Sequence, residues 1–408
     1  MIIKGHLMKK LYSFITLISL IYLFIFQNCS FINLSQESSA SFSVNNDTLK
    51  NLDNLIEKAI ADSAFPGAVY LGSKDDHIFH FQNYGYFDYQ NKSTKVEKNT
   101  IYDLASITKV IATTSAIMLL FDEGKIKLDE KVSDYIPEFG VNSKEEITIK
   151  DLLTHSSGLA AWVSLWNDTD NPSEVEKNLY NLKLVYKTGE KSVYSCMGFI
   201  ILGKVVEKIT NKGLDEFLAE RLFTPLGMKN TFFNPSKKIF ARIAPTEVID
   251  ERNGLIHGKV HDENAWFIGG VSGNAGLFST AYDLSIFCQM MLNKGIYKGT
   301  RIFKKNTVEL FTKRQNVVEG SSRSLGWDTP SENSSSGHYF SESSYGHTGF
   351  TGTSIWIDHE KQLFGIFLTN RVHPTRTNRK IYKMRSKAYD YLQKSIKGQK
   401  LTKNPNLE

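Results

Sequence analysis

Residues 104–121 read LASITKVIATTSAIMLLF, and Lys109 is the only ionisable residue among them. A helix that is apolar on all sides is a buried helix, so this stretch predicts a helix inside the core. Ser106 and Lys109 are three residues apart and would lie on one face, within reach of each other. Burial lowers the pKa of a lysine, and a neighbouring base turns a hydroxyl into a nucleophile. The alternative is a serine N-cap followed by a lysine that reaches solvent.

The N-terminus has the pattern of an export signal. Two lysines precede an uncharged apolar run over residues 11–26, which is the order of a basic n-region and an h-region. Residues 1–28 are therefore predicted to be a leader, and Cys29 directly after it resembles the lipid-modified cysteine of bacterial lipoproteins. Ordinary secretion and an uncleaved signal anchor are the alternatives. All three place the body of the protein outside the cytoplasmic membrane, in the cell envelope, behind a flexible tether over residues 29–46.

The composition is that of a soluble globular protein, with 41% apolar, 12% aromatic and 23% charged residues in a chain of 408. The net charge of +6 includes the lysines of the leader, and no basic block is interleaved with aromatic residues. A nucleic-acid partner is therefore excluded. The body has two cysteines, Cys196 and Cys288, which do not make a disulfide framework.

Apolar periodicity predicts strands at both ends of the body and helices between them. Residues 125–315 are mainly helical, and residues 47–396 form the domain, followed by a tail over 397–408. This order predicts an α+β fold, in which the N- and C-terminal strands share one antiparallel sheet beside a helical region. The predicted elements are a helix over 48–59, strands over 68–72, 77–86, 345–350, 353–358 and 363–369, and helices over 149–154, 197–210, 214–222, 282–293 and 378–396.

Two further stretches carry chemistry that fits Ser106. Tyr194 stands just before an apolar helix, where a nearby ammonium would lower its pKa from about 10 and make it a general base. Residues 346–350 read GHTGF on a glycine-rich predicted strand, where missing side chains let a substrate backbone approach. The N–H groups of Ser106 and Phe350 would then hold the oxyanion of an acyl intermediate.

A metal site is the competing interpretation of His257 and His261, which are four residues apart. Gly254 and Gly258 interrupt any helix there, and no third histidine or cysteine stands near them in the sequence. We therefore predict no metal site from this pair.

Three short motifs are SITK at 106–109, YSC at 194–196 and HTG at 347–349. In order and separation they resemble the motifs of the penicillin-recognising serine hydrolases, which include class C-type β-lactamases, D-alanyl-D-alanine carboxypeptidases and related esterases. The phrases LLTHSSGL from Leu152 and GVSGNAGL from Gly270 extend the resemblance over most of the body. The subgroup that it resembles most is the low-molecular-mass penicillin-binding carboxypeptidases.

The resemblance implies an acyl-enzyme route that needs no metal and no organic cofactor. Ser106 would attack the carbonyl of a D-alanyl peptide, a β-lactam or an ester. Lys109 and Tyr194 would move protons, and water would release the acyl group. The strand residues that would face the substrate are His347, Thr348 and Gly349.

The chain departs from the family pattern at Cys196, where Asn or Asp is usual. The change removes a hydrogen-bond acceptor for Lys109 and an amide for the substrate, which predicts slow acylation by β-lactams. His347 replaces a lysine that is common in β-lactamases, a variation that the resemblance associates with peptidases and esterases. The alternative function is a non-turning-over module that binds penicillin or peptidoglycan, but the presence of Ser106, Lys109 and Tyr194 favours an enzyme.

Overall fold

The computed structural model describes residues 42–90, 93–167, 169, 171–332 and 334–403. The predicted leader and Cys29 lie outside these residues. The described helices are α1 (Asn46–Ala61), α2 (Ser115–Asp122), α3 (Val132–Tyr135), α4 (Ile149–Leu153), α5 (Pro172–Tyr180), α6 (Cys196–Thr210), α7 (Leu214–Leu218), α8 (Thr224–Leu226), α9 (Glu263–Phe267), α10 (Ala281–Leu292), α11 (Lys305–Thr312) and α12 (Ile381–Lys394). The described strands are β1 (Gly67–Lys74), β2 (His77–Gly85), β3 (Tyr102–Asp103), β4 (Phe232–Phe233), β5 (Val248–Ile249), β6 (Gly254–Leu255), β7 (Leu277–Ser279), β8 (Ile296–Tyr297), β9 (Thr300–Arg301), β10 (Tyr345–Thr348), β11 (Ser354–Asp358) and β12 (Leu363–Thr369).

The main sheet joins the two ends of the chain. Its order is β10-β11-β12-β1-β2, and each neighbouring pair is antiparallel. The register pairs Leu71 of β1 with Ile366 of β12, and Ser354 of β11 with Phe367 of β12. The predicted α+β class and the shared antiparallel sheet are therefore confirmed. Strand β10 lies at one edge, where a site can open to solvent.

Helices cover both faces of this sheet. The buried residues of α1 (Leu49, Leu52, Ile56 and Ala59) repeat at helical spacing, so they form one apolar face. That face packs with α12 against the sheet in a core of its own. Helix α10 packs on the opposite face and is buried on nearly all sides, so it belongs to the larger core.

The predicted buried helix over residues 104–121 is present but is not a regular α-helix. It begins as a 3-10 turn at Ala105–Ile107, continues as a π-helix at Lys109–Thr114 and ends as α2. Among the described residues, Ala105–Asp122 is the one helical segment that length and composition would allow to cross a membrane, and 83% of it is buried inside the protein. Its apolar composition therefore reflects a place in the core. Local π turns occur often at functional sites.

Short strands in the middle of the chain position the start of this helix. Tyr102 of β3 pairs with Ser279 of β7, and Phe232 of β4 pairs with Phe278 of the same strand. The sequence pattern did not predict these strands, because two or three residues carry too little alternation. The predicted helix over residues 214–222 likewise departs from regular form, since it becomes a π-helix after Leu218.

Candidate active site

Ser106 lies on a short turn that the preceding strand fixes in place. Its neighbour Ala105 has a φ of +47°, a conformation that residues other than glycine rarely adopt. The buried Asp103 carboxylate accepts the N–H of Ala105 at 2.8 Å and the N–H of His261 at 2.7 Å. Such a conformation persists only where the surroundings hold it, so the position of Ser106 is set by contacts outside its own helix.

Lys109 directs its ammonium at Ser106. The side chain is 0% exposed, and Nζ donates to the Ser106 hydroxyl at 3.0 Å and to the backbone carbonyl of Asn274 at 2.9 Å. The alternative of a lysine that reaches solvent is therefore wrong. The predicted proximity of the two side chains is confirmed, while their catalytic roles stay predictions.

The pKa shifts of Lys109 and Tyr194 differ from the sequence-based expectation. Burial works to lower the pKa of Lys109, but the negative charges that Cys196 and Tyr194 carry when ionised outweigh it, so its pKa lies above the ordinary value. Burial raises the pKa of Tyr194 above its ordinary value, against the lowering effect of the Lys109 ammonium. Both directions favour retention of protons by the Lys109–Tyr194 pair.

Tyr194 is held from both sides by His155, a residue to which the sequence analysis gave no role. The carbonyl of His155 accepts the N–H of Val193 at 2.9 Å, and its Nδ1 accepts the N–H of Ser195 at 3.0 Å. The His155 and Tyr194 rings lie 4.7 Å apart between centroids. Burial is the main cause that keeps the pKa of His155 well below its ordinary value. The Tyr194 hydroxyl is itself buried, and the side chains of Lys109 and Ser106 are the polar groups close enough to lower its pKa.

The loop after β10 is joined to the segment before Ser106. The side chain of Thr351 donates to the carbonyl of Asp103 at 2.7 Å, and that of Thr353 donates to the carbonyl of Leu104 at 3.0 Å. Gly349 is required at this crossing, because a Cβ there would lie 2.4 Å from the carbonyl oxygen of Leu104 and 2.1 Å from Oγ1 of Thr353. The loop and the segment before the nucleophile are therefore fixed relative to each other.

A cavity of about 250 Å³ opens beside Ser106. Lys109 and Cys196 lie behind it, next to the serine hydroxyl and to each other. The structure therefore brings all the predicted site residues of the folded body together. Those that line the cavity are Ser106, Tyr194, His347, Thr348, Gly349 and Phe350.

Arg323 also lines this cavity, and the sequence analysis missed it. Its guanidinium carbon lies 5.4 Å from the centroid of the Tyr194 ring, and its Nη1 is a loose 3.9 Å from the Asp328 carboxylate. That carboxylate also accepts the hydroxyl of Ser322 at 2.6 Å. Burial and then the charge of Arg323 keep the pKa of His347 well below its ordinary value, so His347 is neutral. Arg323 therefore supplies positive charge to the cavity, and an arginine suits a carboxylate ligand.

Cys196 stands beside Lys109, where the motif predicted it, with Sγ 3.5 Å from Nζ. A backbone carbonyl, that of Asn274, serves as the strong acceptor instead of a side chain at position 196. The Asn274 side chain is buried and accepts the hydroxyl of Ser272 at 2.7 Å. The stretch GVSGNAGL from Gly270, which contains Asn274, is part of the family resemblance. The sequence does not indicate, however, which backbone carbonyl will face a lysine.

The two histidines considered as metal ligands have separate partners. His257 Nε2 lies 2.8 Å from the carbonyl of Ile243, and His261 Nε2 lies 2.8 Å from the Glu247 carboxylate. Within the described residues, no group of three or more His, Cys, Asp or Glu side chains is placed to hold a metal ion.

A larger cavity, of about 660 Å³, lies next to α10 and α11. Lys294 and Glu309 in its wall pair with each other at 2.6 Å. Its lining residues include none of the predicted site residues. We therefore take the smaller cavity as the candidate active site, because the nucleophile and its partners surround it.

Known proteins are similar to this chain in sequence and in fold. The family model described as Beta-lactamase matches residues 52–389. A Bacillus subtilis (strain 168) protein named N-acetylmuramyl-L-alanine amidase is 37% identical over 361 residues, which cover 80% of this chain and 81% of that protein. A Salmonella typhi protein with D-alanyl-D-alanine carboxypeptidase in its name is 36% identical over 369 residues, covering 82% of this chain and 85% of that protein. The solved structure of the octameric penicillin-binding protein homologue from Pyrococcus abyssi has a TM-score of 0.65 at 23% identity, covering 82% of this chain and 76% of its own, and so supports the fold.

Proposed function

Because the chain belongs to the β-lactamase family of serine hydrolases, we propose that it is an exported D-alanyl-D-alanine carboxypeptidase that works through an acyl-enzyme on Ser106. The observation that carries this proposal is the 3.0 Å contact between the Lys109 ammonium and the Ser106 hydroxyl inside the core. A buried lysine with a proton-exchanging hydroxyl as its partner has the arrangement of an activated nucleophile.

The proposed reaction begins with removal of one proton from the Lys109–Tyr194 pair. The pair, which has lost one proton, then takes the Ser106 proton as Oγ forms a bond to the substrate carbonyl carbon. The N–H groups of Ser106 and Phe350 hold the negative oxygen of the tetrahedral intermediate. The C–N bond breaks as the leaving amine receives the proton, and water hydrolyses the remaining ester to regenerate the Ser106 hydroxyl.

Arg323 favours a carboxypeptidase over an amidase. The leaving group of a D-alanyl-D-alanine peptide carries a free carboxylate one residue from the scissile bond. Arg323 provides a positive charge in the same cavity as Ser106 and Thr348, with its own carboxylate partner 3.9 Å away. The alanine of an N-acetylmuramyl-L-alanine linkage offers no such carboxylate, because its carboxyl group continues into a peptide.

The matching experiment uses a diacetyl-L-lysyl-D-alanyl-D-alanine peptide and the same peptide with a C-terminal amide. We expect release of D-alanine from the free acid by the wild-type protein and none by Ser106→Ala. Arg323→Gln is expected to raise KM for the free acid by at least about tenfold and to leave KM for the amide unchanged. Faster cleavage of an N-acetylmuramyl-L-alanine substrate than of the peptide would overturn the proposed substrate. A label on Ser106 that forms but never leaves would instead support the non-turning-over binding module.

We also propose that the protein faces outward from the membrane and is attached there through Cys29. The basic n-region, the apolar run and the cysteine directly after it support this location. Cell fractionation is expected to find the protein with membranes, and Cys29→Ser is expected to release it or to block processing. Unchanged membrane retention and gel mobility in that variant would point to a signal anchor.

A further inference from the structure

The peptide unit between Gly349 and Phe350 has a cation at its carbonyl end, and Gly349, Phe350 and the cation Arg385 all line the cavity. Its N–H is that of Phe350, the proposed second oxyanion donor. Its carbonyl oxygen, that of Gly349, accepts a hydrogen bond from Nη2 of Arg385 at 2.7 Å. The same Nη2 donates to the carbonyl of Thr353 at 3.0 Å, so one guanidinium holds both ends of the loop.

Holding the loop does not by itself require a positive charge at Arg385. It is 4% exposed, and it forms no ion pair with a carboxylate among the described residues. Its Nε has no hydrogen-bond partner there either. A buried cation without a counter-ion is costly, and a neutral amide would also donate to two carbonyls. Burial lowers the pKa of Arg385 to about 10, so the group remains a cation at neutral pH.

We propose that Arg385 is a positioning residue of the oxyanion hole, which orients and polarises the Gly349–Phe350 peptide so that the N–H of Phe350 becomes a stronger donor. This inference rests on the proposed function. A hydrogen bond to the carbonyl of an amide polarises the whole unit, so its N–H donates more strongly to a partner on the other side. A fixed positive charge in a dry interior also stabilises negative charge that develops nearby.

Arg371, just after β12, provides a matched control because it donates to the same loop. It is 1% exposed, and its Nε donates to the carbonyl of Phe350 at 2.7 Å. That carbonyl belongs to the next peptide unit, whose N–H is that of Thr351. Arg371→Gln therefore removes a contact with the same loop without acting on the carbonyl of the donor peptide. It also removes the contacts of Nη1 with the carbonyls of Arg376 and Asn378 and that of the guanidinium with the Phe350 ring, whose centroid lies 4.4 Å away.

The test is the infrared carbonyl stretch of the acyl-enzyme formed with a penicillin that is isotope-labelled at its β-lactam carbonyl carbon. A stronger oxyanion hole lowers this frequency. We expect Arg385→Gln to raise it, Arg385→Lys to fall between Arg385→Gln and the wild type, and Arg371→Gln to stay near the wild type. We also expect Arg385→Gln to slow acylation by about tenfold, less than the loss expected from deleting an oxyanion donor outright.

The frequency is read only from labelled, folded protein, so a drop in yield does not affect the comparison. Arg385→Lys, which keeps the charge, gives a second reading if Arg385→Gln folds poorly. A wild-type frequency in Arg385→Gln, or an equal rise in Arg371→Gln, would overturn the role of Arg385. Absence of any acyl-enzyme in the wild-type protein, with the penicillin and with an activated ester alike, would instead overturn the proposed function.

Discussion

Two lysine side chains in the described part of the chain are fully buried, and their surroundings differ. Lys144, in the loop before α4, donates to the carbonyls of Val141 and Leu182 at 2.6 and 2.7 Å. Its Nζ also lies 5.2 Å from the centroid of the Phe139 ring. Lys109 also donates to a backbone carbonyl and lies near two aromatic rings, those of Tyr194 and Phe199, but its other polar contacts are a hydroxyl and a thiol.

Burial alone does not give a lysine a chemical role. Burial lowers the pKa of Lys144, whose carbonyl partners neither give nor take a proton. The pKa of Lys109 rises despite its burial, because Cys196 and Tyr194 can carry negative charge beside it. We infer that Lys144 stabilises a loop, whereas Lys109 exchanges protons with its neighbours.

Substitution of each buried lysine by methionine is expected to give the largest difference in activity. Lys109→Met is expected to lower kcat for an activated ester by roughly 10⁴- to 10⁶-fold, as when a member of a catalytic group is removed. Lys144→Met is expected to keep the activity of each folded molecule and to lose stability, at roughly 1–3 kcal/mol for each carbonyl left unpaired. Activity per labelled site and urea unfolding measure the two effects. Equal loss of activity in the two variants would remove the distinction.

Tyr194→Phe tests whether Lys109 needs the phenol as its proton-transfer partner. Tyr194→Phe deletes one hydroxyl and keeps the ring that packs on His155, so we expect the fold to remain intact. Loss of a proton-transfer group predicts a fall in kcat of roughly 10²- to 10⁴-fold. Single-turnover acylation is the measurement, with thermal unfolding as its control. If acylation keeps its wild-type rate, Lys109 acts without the phenol.

Cys196→Asn tests how a stronger hydrogen-bond acceptor beside Lys109 changes the acylation rate. A thiol is a weak hydrogen-bond partner, whereas an amide oxygen accepts well from an ammonium. We expect acylation by a penicillin to become about ten- to a hundredfold faster, which is the size of one hydrogen bond to a charged group. The rates with one penicillin and one activated ester are compared in both proteins. Slower acylation with both substrates in a folded variant would mean that this site requires the cysteine.

The pH dependence is expected to be the most gradual of these effects. The pKa values of Lys109 and Tyr194 are both raised. The fraction of protein in which the pair has lost one proton is therefore small at neutral pH and increases about tenfold per pH unit. We therefore expect kcat/KM for a neutral ester to rise from pH 7 into the alkaline range. His155 and His347 are neutral throughout, because burial keeps their pKa values well below the ordinary range. An inflection near pH 6.5 would indicate a histidine base and contradict the assignment.

Most of the fold was predictable because its signals are local. The continuous apolar runs of β1 and β12 and the spacing of Leu52 and Ile56 in α1 are visible in the sequence. The π-helix at Lys109–Thr114 was not predictable, because its residues have the same apolar composition as those of a buried α-helix. The short strands β3, β4 and β7 become stable only through pairing between distant segments.

The candidate site likewise contains residues that local sequence spacing predicts and residues that it does not predict. Ser106 and Lys109 are three residues apart, so local spacing predicted their contact. Arg323, His155 and Arg385 reach the site from distant segments, and no motif identifies them. The pKa directions were also not predictable, because they depend on which groups surround Lys109 in three dimensions.

The central claim is that Ser106, activated beside the buried Lys109, carries the acyl group. Its most direct test is peptide-mapping mass spectrometry of the protein quenched during reaction with a penicillin. The account predicts one adduct, on the peptide that contains Ser106, which disappears in Ser106→Ala and remains in Lys144→Met. An adduct on Cys196, or an adduct that persists in Ser106→Ala, would contradict it.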